Sequence, residues 1–314
     1  VAGETTTTTL TQLVYAKWIS PYIQSYAAQY QNPSQFLAGW DPKLGTSTVS
    51  VPRWVSGQGS PNDHGTAVDT ELDATEATDL AATALSTAEN SFNIVEYGLR
   101  RDPTDNAIED AVSAEQLFSF LASDGASILM AAYNDDICAL FASFSNTSGT
   151  TNVALTIATI DDALYSLAER GAAGALVGIL DHKQCRDFLN ALQATGTSMA
   201  VYAGSTDRQI GTQFSPDLGM NPEGFVLRYK EVDFYRQGLT DTANAGVDVV
   251  GSIFVRGDAE VNRPKAALGK ARRRDFRVEL QRDASKRTTE VNMTMRAGSG
   301  ITQNTFGQKV LSKA

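Results

Sequence analysis

The chain has 314 residues, 42% of them apolar and 20% charged, with a formal net charge of −10. That is the composition of an ordinary globular protein, long enough for about two domains and for a core that needs neither disulfides nor metal. No window approaches the ~18 apolar residues of a membrane-spanning helix, and the acidic balance argues against a protein dedicated to tight nucleic-acid binding.

The opening VAGETTTTTL lacks the basic and apolar regions of a signal peptide. The two cysteines, Cys138 and Cys185, lie in apolar-patterned segments. Free buried thiols in a reducing compartment are the expectation, with a disulfide as the alternative.

Residues 10–30 carry Leu10, Val14, Trp18, Tyr22, Tyr26 and Tyr30 at intervals of four. This spacing predicts one helical face, split by Pro21 with Ser20 as the cap of a second helix. The face either packs on its own domain or docks on a neighbouring molecule. Residues 46–53, TSTVSVPR, read as an edge strand because of their proline. SGQGSPNDHG at 56–65 reads as a loop tip.

The tract from Asp69 to Phe92 then has six acids, no Lys or Arg, and only four large apolar residues. Residues 91–99, SFNIVEYGL, read as a returning strand. The whole is an excursion whose polar middle cannot bury enough surface to fold alone.

Residues 107–144 show helical periodicity, with Leu117, Leu121, Ile128 and Ala132, then Leu129, Tyr133, Ile137, Leu140 and Phe144, as its apolar face. Gly125 marks a bend or a close contact. Residues 151–203 alternate helix and strand as a compact α/β layer unit. It has a capping box at Thr159 and Asp162, a helix stop at Gly171, a buried strand over 174–180, a helix capped by Asp181 and ended by Gly196, and a strand over 198–203.

Residues 204–250 give one strand, near 224–229. FRVEL at 276–280 and TEVNMTM at 289–295 alternate as two more. A last short strand is predicted near 308–311.

Candidate chemistry is sparse. His64 sits in the loop tip. Asp181, His182 and Cys185 share one helical turn, the spacing of a Cys–His pair or of half a metal site. With two histidines and two cysteines in all, nothing completes a zinc set. Asp69, Glu71 and Asp73 alternate like the start of a calcium loop, but the central glycine is missing. No catalytic, cofactor-binding or metal residue is assigned, and no cofactor is expected.

One charge contrast stands out. Eight acids fall within 63–96, with no Lys or Arg between Arg53 and Arg100. Eleven basic residues lie from Arg256 to Arg287, against five acids. These are two solvated surfaces, or two surfaces that meet within or between subunits, or a strip for loose contact with a nucleic-acid backbone.

The order of parts carries a resemblance. TTTTTLTQLVYAKWI, TELDATEATD, FNIVEYGLRRDPTDNAIED and FRVELQRDASKRTTEVNMTMRAGSGITQNTFGQKVL resemble, in that order, segments of the major capsid proteins of tailed bacteriophages with the Hong Kong 97 type fold. The resemblance implies an α+β phage capsid fold with an N-arm (1–45), an extended loop hairpin (46–102), a peripheral domain with a long spine helix (103–150), an α/β axial domain (151–255) and peripheral-domain C-terminal strands forming an antiparallel sheet (256–314).

It further implies self-assembly into hexamers and pentamers of an icosahedral shell around double-stranded DNA, through contacts of the extended loop and the N-arm. The other partners would be portal, scaffolding and cement proteins, with no membrane. The location would be the virion capsid, assembled in the host cytoplasm.

Some relatives crosslink through an extended-loop lysine. Here no lysine lies between Lys43 and Lys183, so a shell without covalent lysine crosslinks is expected. The alternatives are an encapsulin-like compartment shell of the same fold, and a hydrolase or metal enzyme centred on Asp181, His182 and Cys185.

Overall fold

The computed structural model describes residues 33–41, 46–56, 86–111, 114–172, 174–194, 224–230, 232–257 and 266–314. The helices expected over 10–30, the tract 57–85 with His64 and the alternating acids, Gly196 and the strand over 198–203 lie outside the described residues.

A 3-10 turn at Pro33–Phe36 leads into the short strand β1 (Ala38–Gly39). β2 (Thr48–Ser56) and β3 (Ser86–Asn93) form an antiparallel two-stranded ribbon, with Val49 opposite Phe92 and Pro52 opposite Glu89. Both strands of a two-stranded ribbon are edges, which is where a residue without an N–H is tolerated.

The strand expected over 91–99 is in fact two. β3 ends at Asn93, and β4 (Val95–Arg101) joins a different sheet. Ile94 makes the switch. Its N–H donates to the Ser47 carbonyl at 2.7 Å, and its side chain is buried.

The helical segment expected over 107–144 is also two pieces. α1 (Asp105–Glu109) is capped by the Thr104 hydroxyl, which accepts from the Ala107 N–H. α2 (Ala114–Ala142) then runs for 29 residues, about 44 Å at 1.5 Å per residue.

Its buried row is Leu117, Leu121, Gly125, Leu129, Tyr133, Ile137 and Phe141, one residue in every four. Each step of four overshoots the 3.6-residue turn by about 40°, so the row winds around the helix. The helix therefore packs first with Val291 and Met293, and further along with Val177, Val250 and Phe254 of another sheet. Ile128 and Ala132, expected on the buried face, are exposed because they lie off this winding row. At Gly125 the close-contact reading holds: a Cβ there would run into the sulfur of Met293.

β5 (Thr147–Ser148) precedes α3 (Ile157–Glu169). The cap of α3 is Thr156, whose hydroxyl accepts from the Thr159 N–H at 3.2 Å, rather than a box starting at Thr159. Gly171 follows the last turn at φ +73°, donating to the Ala168 carbonyl while Ala172 donates to that of Leu167. These paired bonds close the helix end.

β6 (Leu176–Asp181) and α4 (His182–Ala194) follow, then β7 (Phe225–Tyr229), β8 (Val232–Gln237), β9 (Thr242–Ala243) and β10 (Asp248–Val255). The chain ends with β11 (Leu268–Asp283), β12 (Thr288–Ile301) and β13 (Gly307–Lys313).

The strands make a four-stranded sheet in the order β1-β11-β12-β4. A seven-stranded sheet has the order β5-β13-β10-β6-β8-β7, with β9 also paired to β10. The C-terminal strands expected over 256–314 thus divide between two sheets. β11 and β12 pair with each other, while β13 pairs with β10 and β5.

β10 sits mid-sheet with all eight residues buried, because its order DVVGSIFV lets it be covered on both faces. Gln184 ties α4 to this sheet. Its amide nitrogen donates to the Val249 and Val310 carbonyls and its oxygen accepts from the Asp181 N–H.

Candidate assembly surface

Three features of the four-stranded sheet define the surface on which a larger assembly would act: where the ribbon is rooted, how the charges are paired, and which apolar side chains are left open.

The root of the ribbon is a small core of Val49, Val51, Phe92, Ile94 and Ala271, with Trp40 against it. Phe92 lies over Gly300 of β12, where an added Cβ would come within 3.0 Å of the Phe92 Cβ, Cγ and Cδ1. The Asn90 side-chain amide donates to the Thr302 carbonyl at 2.6 Å. The direction in which the ribbon leaves the body is therefore set by contact with one end of β12. In the sequence, the alternating glycines of AGSGI carry the only hint of that approach.

The sheet has two unlike faces. On β12, Val291, Met293, Met295 and Ala297 are buried, the first two under α2. On the opposite face, Glu96, Arg100, Asn292, Thr294, Arg296, Arg274, Arg277 and Glu279 come together through the registers of β4, β12 and β11.

Many of the basic residues of β11 already have acidic partners in the same chain. Arg274 pairs with Glu96, and Arg282 forks onto Asp105 with its second bond at 2.6 Å. Arg272 meets Asp275 at 3.1 Å, and Arg277 meets Glu279. Arg100 joins Asp102, at 2.6 Å, to Glu290, and Arg101 reaches Asp124 of α2 at 3.3 Å.

The hydrogen bonds from Arg282 hold the Asp105 carboxyl below its ordinary range. Water screens such exposed pairs strongly, so they fix side-chain positions more than they stabilise the fold. Of the eight acids within 63–96, Glu96 thus finds its cation inside the subunit, and Asp63 to Asp79 lie outside the described residues.

The turn with Asp181, His182 and Cys185 is engaged otherwise. Asp181 caps α4, accepting from the Lys183 N–H at 2.6 Å and the Thr240 hydroxyl at 3.0 Å. The Cys185 thiol is buried against the Leu180 carbonyl, and burial pushes its pKa up to about 12. Cys138 is raised to about 12 for the same reason. Desolvation, and then the charge of Arg236, lower His182. A thiol raised that far is not an activated nucleophile. Among the described residues no group of three His, Cys, Asp or Glu is placed to hold a metal, and no helix is long and apolar enough to cross a membrane.

No protein-family model matches the chain, and no curated protein matches it by sequence. Solved structures do. The capsid of the Ralstonia phage GP4 aligns with a TM-score of 0.59 at 10% identity, over 92% of this chain and 90% of that one. The capsid of the cyanophage P-SCSP1u aligns at 0.59 and 13%, over 88% and 86%. The capsid of a native GTA particle aligns at 0.57 and 10%, over 92% and 91%. At such identities the likeness is one of fold: the chain has the tailed-phage capsid fold, of the Hong Kong 97 type, that the long α2, the ribbon and the two sheets build.

Proposed function

We propose that this chain is a major capsid protein of a tailed bacteriophage, which self-assembles into hexamers and pentamers of an icosahedral shell around double-stranded DNA. The observation that carries the reading is the extent of the likeness, through about nine-tenths of both this chain and the GP4 capsid chain. In this reading the protein acts by association rather than catalysis. The named neighbours are phage and GTA particle capsids, so the encapsulin-like compartment is not favoured.

In this reading residues 1–45 are the N-arm and 46–102 the extended loop, of which β2 and β3 are the root. α2 is the spine helix of the peripheral domain, and 151–255 form the axial domain. Burying the acidic tract on an adjacent subunit would supply the contacts it lacks alone, and heterologous contacts that close produce shells. Portal, scaffolding and cement proteins are the further partners, with packaged DNA held by loose backbone contact in the virion. The absence of lysine between Lys43 and Lys183 supports a shell held without isopeptide crosslinks.

The test is electron microscopy of the purified chain with a denaturing gel of the same particles. Closed icosahedral shells whose subunits run as monomers are the expected result. Soluble monomers under all assembly conditions would sink the reading, and a ladder of covalent oligomers would sink its crosslink-free part. Reversing charge at Glu71, Asp73 and Glu76 should impair assembly while leaving the monomer folded.

A further inference from the structure

Phe276, Val278 and Leu280 of β11 are 38%, 38% and 59% exposed. Their alternation predicts a covered face, and the register places Val278 and Leu280 on one, with Phe276 in the irregular stretch just before Arg277. Val278 stands opposite Met293 and Leu280 opposite Val291, both fully buried under α2. α2, however, lies over β12 and β4, and β11 is left beyond its flank.

Among the described residues the backbone edge of β11 beyond β1 is open as well. β1 pairs only with Gly269 and Lys270, and no other described strand takes the side of β11 away from β12. A long edge strand with an apolar row is a template for another strand.

We infer that this edge pairs with the same edge of a second copy, antiparallel about a two-fold axis through Val278, to give one continuous sheet across two subunits in the order β4-β12-β11-β11-β12-β4. This goes beyond the shell reading and rests on the strand alone. The five residues FRVEL are complementary to themselves about their centre. Val278 meets its own copy, Phe276 meets Leu280 of the partner subunit, and Arg277 meets Glu279 of the partner subunit.

Opposite residues in antiparallel strands share a face, so the apolar row becomes continuous on the side of α2 and the charges become continuous on the polar side. Centring on Glu279 instead would set like charges against each other, and centring on Leu280 would set Val278 against Arg282. Each Arg277 and Glu279, now paired within one strand, gains a cross-strand partner of opposite sign. The register irregularity between Arg274 and Arg277 bends β11 and ends the pairing at Phe276, before Arg274 would face Arg282 of the partner subunit.

The experiment is disulfide trapping on the full chain. Directly opposed residues lie at Cα distances that a disulfide spans. Under mild oxidation Val278→Cys should give a covalent dimer, and Glu279→Cys, which would face Arg277 of the partner subunit, at least about tenfold less. The native cysteines are buried and serve as the background.

In the Val278→Cys chain, Arg277→Glu alone and Glu279→Arg alone should each lower the dimer yield. An equal mixture of the two should restore it, because every cross-strand pair is then of opposite sign while each chain's internal pair stays repulsive. Equal trapping at 278 and 279, or no rescue in the mixture, would overturn the inference. Intact shells without the Val278→Cys dimer would assign the edge to another segment and also overturn it. Dimers without shells would leave the pairing standing and remove the capsid reading, so the two fail separately.

Discussion

The ring of Phe92 lies over Gly300 with no room for a methyl group between them. Ribbon and sheet meet closely here, near where the Asn90 amide donates to the Thr302 carbonyl. Replacing Gly300 with Ala must move Phe92 or the strand, and overpacking of this kind costs about 1–3 kcal/mol. We expect G300A to lower the unfolding midpoint and to speed proteolytic cleavage within β2 and β3. Unchanged cleavage kinetics would mean that the ribbon is not anchored here.

A second prediction concerns Phe141, fully buried where α2 meets β10 and 6.0 Å from Phe254 between ring centroids. Phe141→Ala should destabilise the chain by about 3–5 kcal/mol in denaturant titration. Ile128→Ala, off the winding row, should cost well under 1 kcal/mol if exposure governs. Equal losses at the two positions would contradict the register of α2.

Gln184 is the third. Its amide serves three backbone groups at once, two of them carbonyls of neighbouring strands. Gln184→Leu keeps the bulk and leaves those groups without their partner, at about 1–3 kcal/mol for each group left unsatisfied. Hydrogen exchange should rise at Asp181, the one N–H that Gln184 satisfies, and a protected Asp181 amide in the variant would refute the staple.

The fourth is a pH dependence. Burial raises Cys138, Cys185 and Tyr133 to about 12. Each is neutral when folded, so the unfolded chain ionises first as pH rises. The stability they protect is complete below pH 9, the ordinary thiol value, and is lost as pH climbs towards 12. We expect the denaturation midpoint to fall steadily from pH 9 to 11, and both thiols to resist alkylation at pH 8 until the chain unfolds. Fast alkylation of the native protein would show that the thiols are not buried.

The surface ion pair between Arg274 and Glu96 should do the reverse of the core positions. Arg274→Gln should shift stability by less than about 1 kcal/mol, measured in the same titration. A loss of several kcal/mol would mean that this pair is part of a buried network.

Much of this architecture is legible in the residue order. Caps and stops are local, so Asp181 and Gly171 are readable from a few neighbours, although Thr156 captured the start of α3 three residues before the predicted box. Alternation in TEVNMTM is a period-2 signal that one buried face enforces, and β12 obeys it. β10 escaped because DVVGSIFV has no alternation to detect. A strand covered on both faces looks like any short apolar run.

The sequence by itself determined the long helical periodicity of α2, the alternation of β12, the apolar surroundings of the two cysteines, the lack of lysine from 44 to 182, and the order of parts that resembles a capsid protein. Those properties follow from local periodicity and composition. Tertiary structure alone decided that the strand breaks at Ile94 to serve two sheets, that α2 turns its buried row from one sheet to another, and that β13 leaves its neighbours for β10. It also decided that the apolar alternation of Phe276, Val278 and Leu280 stays uncovered. Alternation records that a strand has two unlike faces, but what covers a face depends on where a helix distant in sequence comes to lie, and α2 stops short of β11.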